Sequence, residues 1–167
     1  TTVCWKLAMQ NMDTPTALIL SRQNIESLPE GTDYEQAAKG AYIVSGSDEN
    51  PDVILVASGS EVSTLVSGSE ALRKDGYKVR VVSAPSEGLF RTQSQEYQDS
   101  VLPYGVKKFG LTAGLAVTLQ GLVGIGPNSK IFGMPSFGFS APYKVLDEKL
   151  GYTGENVYNQ VKAFMQQ

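Results

Sequence analysis

The sequence of 167 residues contains no histidine, and Cys4 is its only cysteine. Histidine is the commonest general acid or base in enzymes and the commonest metal ligand. A Ser-His-Asp triad, a Cys-His pair and a histidine-bound metal are therefore excluded for this chain. A single cysteine also excludes an internal disulfide and a zinc site made of cysteines, and it agrees with a reducing cytoplasm.

Strong charge and long apolar runs are also missing from the sequence. Its 14 basic and 17 acidic side chains give a formal net charge of -3. Such a balance provides no electrostatic surface for nucleic acid or for an anionic membrane. No apolar run is long enough to span a bilayer, and the first residues lack the shape of a signal peptide, so we expect a cytoplasmic protein. The start at Thr1, without an initiator methionine, suggests a chain that begins inside a longer protein.

Apolar runs that are typical of strands alternate with helical patterns from Lys39 onward. The strand-like runs cover residues 42–44, 53–57, 78–82, 106–111 and 130–134. The helical patterns cover residues 59–74, 93–101, 115–123, 143–150 and 155–165. The run Val53–Ala57 is apolar throughout, as in a strand that is buried on both faces of a parallel sheet. The alternation predicts a three-layer α/β fold, in which helices cover both faces of a mostly parallel sheet of about five strands.

The N-terminal part of the chain follows a different pattern. Residues 3–12 have the spacing of a short amphipathic helix, and Thr16–Leu20 is predicted to form a buried strand. A linker that contains proline and glycine follows over Ser27–Asp33. We therefore place a domain boundary there, which separates residues 1–32 from an α/β domain over residues 33–167.

The segment Ser58–Glu61 lies where the second strand of that domain turns into a helix. Ser60 is predicted to cap the helix, and the carboxylate of Glu61 lies favourably at the positive end of the helix dipole. An anion site at the same helix N-terminus is the alternative. No lysine follows in P-loop spacing and Glu61 would repel an anion, so the sequence favours the cap. The glycine-rich Gly121–Gly126 does not match a dinucleotide-binding fingerprint and is predicted to be a turn.

Candidate reactive side chains are few. Cys4 has no evident basic partner in the sequence and is interpreted as a small packed residue. The carboxylates are spread along helices and loops, and no pair of them stands out as an acid–base couple. Arg22 follows an apolar strand, where a guanidinium can hold a phosphate by paired hydrogen bonds, but its spacing alone is that of a surface arginine. We therefore expect no catalytic, cofactor-binding or metal-binding residue in this chain.

Several segments taken together resemble the C-terminal end of transketolase. They are Pro15–Asn24 (PTALILSRQN), Asn50–Val62 (NPDVILVASGSEV), Val81–Pro103 (VVSAP, LF, QSQEY and SVLP) and Phe137–Pro142 (FGFSAP), which is followed by GYT at 151–153. Their order and spacing match the family across almost the whole chain. The sequence departs from the family pattern at Thr112, where a glutamate before Ala-Gly is usual, and at Pro135 and Ser136, where Asp-Arg is common.

The resemblance implies that the complete protein moves a two-carbon ketol unit between sugar phosphates. Family members use thiamine diphosphate and a divalent metal, Mg²⁺ or Ca²⁺, and are homodimers of three-domain subunits. The metal motif, the activating glutamate and the histidines of the family belong to the first two domains, and that motif does not occur here. The chain is thus expected to be the C-terminal, non-catalytic domain, which supports the dimer. Its expected partners are its own missing domains and a second identical subunit, with neither nucleic acid nor a membrane.

The resemblance also implies roles for individual residues and segments. Residues 1–32 would be the tail of the preceding cofactor-binding domain plus a linker, and residues 33–167 the C-terminal α/β domain. Arg22 would contact the phosphate of the sugar substrate in the full-length enzyme. One edge strand is expected to run antiparallel, and Tyr42–Val44 is the candidate. The alternatives are the same domain from a related thiamine-dependent synthase, and a free-standing module that binds a nucleotide or another small anion at the strand ends.

Overall fold

The computed structural model describes residues 1–46 and 49–167 of the chain. The strands are β1 (Tyr42–Ser45), β2 (Val53–Ala57), β3 (Val79–Ser83), β4 (Lys107–Leu111) and β5 (Ser129–Phe132). They form a sheet of five strands in the order β1-β3-β2-β4-β5. Strands β2, β3, β4 and β5 run parallel, whereas β1 pairs with β3 in the antiparallel direction at one edge. The predicted mostly parallel sheet and its antiparallel edge strand are therefore confirmed.

The helices mostly lie where the sequence predicts them. They are α1 (Thr2–Gln10), α2 (Glu61–Lys74), α3 (Glu87–Arg91), α4 (Gln95–Val101), α5 (Gln120–Val123), α6 (Tyr143–Leu150) and α7 (Gly154–Met165). Short 3₁₀ helices cover Tyr34–Lys39 and Ala116–Leu119. The single helix predicted over residues 115–123 is thus divided between a 3₁₀ turn and α5. Neither α3 nor the 3₁₀ helix at Tyr34–Lys39 was predicted.

Each face of the sheet carries its own hydrophobic cluster because side chains alternate along a strand. On one face, Leu55 of β2 packs with Leu65 of α2 and Val161 of α7. On the other face, Ile54 of β2 packs with Phe90 of α3. All residues of β2 are buried, which confirms the prediction of a central strand covered on both faces.

Helices α2 and α7 approach each other closely over Gly68. A Cβ atom built on Gly68 would lie 2.6 Å from Cγ1 of Val157 and 2.9 Å from the backbone carbonyl oxygen of Gly154. At one end of the helix pair, Nζ of Lys162 donates a hydrogen bond of 2.7 Å to the carboxylate of Asp75. The missing side chain at Gly68 is therefore what allows α7 to cover α2.

The N-terminal segment is attached to the domain through α1. This helix confirms the prediction for residues 3–12, and it packs against the 3₁₀ helix at Tyr34–Lys39. The buried strand predicted at Thr16–Leu20 is wrong for this chain: the segment has no regular structure, and Ile19 is 91% exposed. A strand needs a neighbour for its N–H and C=O groups, and the described sheet offers none beside this segment. None of the described helices has the length and apolarity that crossing a membrane requires.

Candidate functional site

The candidate site is a cleft at the edge of the sheet where the parallel strands end. In an open α/β sheet, ligands bind outside the carboxyl ends of the strands. A cleft of about 310 Å³ lies there, lined by residues 23–26, the first turns of α2 and α6, and Tyr152 with Gly154. Strand β2 ends at Ala57, and Gly59, with a φ of 63°, makes the turn into α2, whose first residues line the cleft.

The polar groups of the cleft include carboxyls whose charge is disfavoured. Burial raises the pKa of the Glu61 carboxyl, while hydrogen bonds from its own backbone and from Ser60 offset part of that rise. The negative charge of Asp147 adds to the rise, and burial raises the pKa of the Asp147 carboxyl as well. Burial, together with the charge of Glu61, raises the pKa of the Tyr152 phenol. Lys144 also lines the cleft. An added anion would meet these carboxylates, so the cleft does not fit a phosphate.

The structure corrects the predicted role of Ser60. This residue occupies the N-cap position of α2, but its side chain accepts no hydrogen bond from the helix backbone. Its φ of -63° and ψ of -32° are already helical, whereas a capping side chain requires an extended backbone. The hydroxyl of Ser60 instead donates to Oε1 of Glu61 at 3.2 Å. The predicted N-cap position of Ser60 is therefore confirmed, but the predicted hydrogen bond from the helix backbone to its side chain is not formed.

Arg22 lies near the cleft and does not form part of its lining. Its side chain is exposed, while its neighbours Gln23 and Asn24 contribute to the wall. Just before it, Oγ of Ser21 lies 3.8 Å from the Cβ position of Gly59. The structure thus brings this segment to the carboxyl edge of the sheet. A phosphate role for Arg22 stays a prediction.

The remaining cleft residues were missed by the sequence reasoning. Asp147 lies in α6 and Tyr152 just before α7, far along the chain from Glu61. The hydroxyl of Tyr152 donates a hydrogen bond of 2.9 Å to the backbone carbonyl oxygen of Thr112, which follows β4. A signal that could have found them is the rule that the segments after parallel strands meet at one edge of the sheet.

The chemistry available at the cleft is limited. Within residues 1–46 and 49–167, no group of three or more histidine, cysteine, aspartate or glutamate side chains could hold a metal ion. The titratable groups of the cleft are carboxyls, phenols and one ammonium, since the sequence has no imidazole to act near neutral pH.

Comparisons with known proteins place the chain among transketolase sequences. Residues 40–153 match the family model of the transketolase-like TK C-terminal domain. The chain is 42% identical over 169 residues to a transketolase of Staphylococcus aureus (strain MW2). This alignment covers 98% of the chain and 25% of the relative. It is 43% identical over 165 residues to transketolase 2 of Vibrio parahaemolyticus, with similar coverage.

A solved structure gives the same result. The transketolase from Leishmania mexicana superposes with a TM-score of 0.87 at 36% sequence identity, over 99% of this chain and 23% of that chain. The chain therefore spans about a quarter of the length of the relatives that it matches.

Proposed function

Because the chain belongs to the family of transketolase-like C-terminal domains, we propose that it is the non-catalytic, dimer-supporting part of a transketolase. The complete protein would transfer a two-carbon ketol unit between sugar phosphates, and this chain would stabilise the assembly. The observation that carries the proposal is the similarity to transketolases over 98% of the chain, which extends before residue 40, where the family model begins.

The side chains present support a structural role. The sequence has no histidine, and partial burial raises the pKa of the carboxyls of Glu61 and Asp147. Chemistry in the complete protein would therefore use groups from the part of the polypeptide that lies outside this chain.

The cofactors of the proposed enzyme do not fit the residues of this chain. We propose that the complete protein uses thiamine diphosphate and a divalent metal, since these supply ketol-transfer chemistry. A diphosphate needs cationic or N–H donors, and its metal needs grouped oxygen ligands. The cleft offers raised-pKa carboxyls, and the described residues form no metal-holding group. We therefore assign no cofactor contact to this chain.

The proposed partners are the preceding domains and a second identical subunit. Residues 1–32 would be the tail of the preceding cofactor-binding domain plus the linker, and residues 33–167 the C-terminal domain. The exposed apolar side chains Ile19 and Leu20 support this division because they lack a covering partner in the described structure. A cytoplasmic location belongs to the same proposal.

Arg22 is the residue of this chain that we propose to contact substrate. Its guanidinium is exposed next to the cleft, on a segment that would belong to the cofactor-binding domain. A planar guanidinium can hold two phosphate oxygens at once, a grip that an ammonium group does not reproduce. The phosphate of a sugar substrate would be its ligand in the complete enzyme only.

The alternatives are less well supported. A free-standing nucleotide or anion module is opposed by the carboxyls of Glu61 and Asp147 at the place where such a ligand would lie. A related thiamine-dependent synthase is less consistent with relatives at 42–43% identity that are transketolases. We therefore retain one function.

The test compares the full-length protein with the 167-residue chain. The full-length protein, supplied with thiamine diphosphate and Mg²⁺, is expected to transfer ketol units between sugar phosphates. The chain alone is expected to give no heat of binding with the cofactor and Mg²⁺ in titration calorimetry. A micromolar cofactor site in the chain, or an inactive full-length protein that binds the cofactor, would contradict the proposal.

A further inference from the structure

Lys108, the second residue of β4, carries an ammonium group that no carboxylate pairs with. Its Nζ atom donates hydrogen bonds of 2.8 and 3.4 Å to the backbone carbonyl oxygens of Pro103 and Val106. Among residues 1–46 and 49–167, no aspartate or glutamate forms an ion pair with this nitrogen. The sequence has no acidic residue between Asp99 and Asp147. Neutral carbonyl groups therefore hold this side chain in place.

The position of Lys108 in the sheet leaves its amine partly buried. Lys108 of β4 and Arg80 of β3 both lie opposite Ile54 of β2, so the three side chains share one face of the sheet. The carbonyl groups that Nζ contacts belong to residues 102–106, which we call the α4–β4 loop. Tyr104, in the middle of this loop, is 99% exposed. The amine is therefore shielded from water on the sheet side and borders solvent at the loop.

This environment favours the neutral form of the amine. Burial lowers the pKa of the Lys108 ammonium, because the water that it loses is not replaced by a negative charge. Its hydrogen bonds survive the loss of a proton, since a neutral amine keeps two N–H groups for two carbonyl oxygens. In contrast, hydrogen bonds to Asp75 and Tyr158 raise the pKa of Lys162. The two lysines therefore differ in their fraction of nucleophilic amine.

The surroundings of Lys108 along the chain suit an anionic reagent. Between residues 100 and 146, the charged side chains are Lys107, Lys108, Lys130 and Lys144, all basic. An anion that approaches the start of β4 meets no carboxylate from this stretch. A small acyl phosphate joins such an anion to an electrophilic carbonyl carbon, and its size suits a partly buried amine.

We propose that Lys108 is a site at which small acyl phosphates modify this protein. The lone pair of the neutral amine attacks the carbonyl carbon, and an N–C bond forms while the C–O bond to the phosphate breaks. Inorganic phosphate leaves with the proton that the nitrogen releases, so the step needs no redox partner. The amide nitrogen that results has one N–H group for two carbonyl oxygens. Acylation therefore loosens the α4–β4 loop, and this inference does not depend on the proposed ketol transfer.

Acetyl phosphate is the probe for this site. The 167-residue chain is incubated with it near neutral pH, and peptide mass spectrometry follows the acetylation of each lysine. Lys108 is expected to react about tenfold faster than Lys162 or more, because one pKa unit changes the fraction of neutral amine about tenfold. Its rate should rise with pH along a curve whose pKa lies below the ordinary lysine value of about 10.4. Acetylation of Lys108 no faster than that of Lys162, or a pKa at the ordinary value, would overturn the proposal.

Variants at the same position test the effect on the loop. Lys108→Gln resembles the acylated side chain in its lack of charge, whereas Lys108→Arg keeps several N–H donors for the two carbonyl oxygens. The glutamine variant is expected to exchange amide hydrogens of residues 102–106 about tenfold faster than the wild type and to melt a few degrees lower. The arginine variant should stay close to the wild type. Lys149→Gln, at an exposed position of α6, controls for the loss of a positive charge and should change neither quantity. Equal exchange of the loop in the glutamine and arginine variants would refute its release by acylation.

Discussion

The guanidinium of Arg80 donates a hydrogen bond of 3.1 Å from Nη1 to the backbone carbonyl oxygen of Val101. The same nitrogen lies 2.8 Å from the carbonyl oxygen of Ser100. Arg80 is only 4% exposed in β3, and Val101 is the last residue of α4. The last carbonyl groups of a helix have no intrahelical partners. The side chain of Arg80 in β3 therefore supplies the hydrogen-bond donor that two of these carbonyl groups of α4 need.

Replacement of Arg80 by methionine is therefore expected to destabilise the chain. The variant Arg80→Met keeps the length of the side chain and removes the charged donor, which is worth about 1.5–3 kcal/mol. Urea denaturation measures the change in the free energy of unfolding. The control Arg91→Met removes an exposed ion pair with Glu87 and an exposed hydrogen bond to the backbone carbonyl oxygen of Gly121, and should cost about 1 kcal/mol or less. Equal losses from the two variants would show that Arg80 does not anchor α4.

The close approach of α2 and α7 predicts that Gly68→Ala destabilises the chain, although alanine favours a helix. The added methyl group would lie 2.6 Å from Cγ1 of Val157, and overpacking of this kind costs about 1–3 kcal/mol. Gly88→Ala in α3 is the control, because no atom lies within 4 Å of its Cβ position. That variant is expected to be neutral or stabilising by up to about 1 kcal/mol. Thermal melts that rank the two variants in the opposite order would contradict the packing argument.

The partly buried carboxyl of Glu61 predicts a pH-dependent effect of Glu61→Gln. Burial raises its pKa in the folded state, so the folded protein binds this proton more tightly than the unfolded chain does. The stabilisation is complete below the ordinary glutamate pKa of about 4.3 and is lost as the pH rises through the folded-state value. The glutamine variant should therefore melt higher than the wild type at neutral pH, and the difference should shrink toward the acidic end. Glu155→Gln, exposed in the first turn of α7, controls for the loss of charge at a helix N-terminus.

For Arg22 we expect opposite outcomes in the chain and in the full-length enzyme. Arg22→Ala should leave the melting temperature of the chain almost unchanged because the side chain is exposed. In the full-length enzyme, kcat/KM for phosphorylated sugars should fall about tenfold to hundredfold, which corresponds to the 1.5–3 kcal/mol of a charged hydrogen bond. Unphosphorylated acceptors should be much less affected. An equal loss on both kinds of sugar would make Arg22 a structural residue.

Sequence reasoning was most successful where a segment's conformation depends on its own pattern. The apolar run of β2 and the helical spacing of α2 both appear where the sequence predicts them. It failed where the partner decides the outcome: Thr16–Leu20 has a strand pattern and no described strand beside it. At the cleft, the position of Glu61 at the start of a helix was predictable. The hydrogen bond from Ser60 to Glu61, which replaces the expected cap, was not predictable, because it depends on the helical backbone conformation of Ser60.

The packing of α7 over Gly68 of α2 also determines when this domain can finish folding during synthesis. All five strands and α2 precede Gly154, so a ribosome has made the whole sheet before the helix that covers α2 begins. A product that stops short of α7 would keep a paired sheet and expose the buried side chains Leu65 and Leu72, which pack in the same cluster as Val161. Chaperones and proteases act on such exposed apolar surface, so a product that lacks α7 is expected to be their substrate.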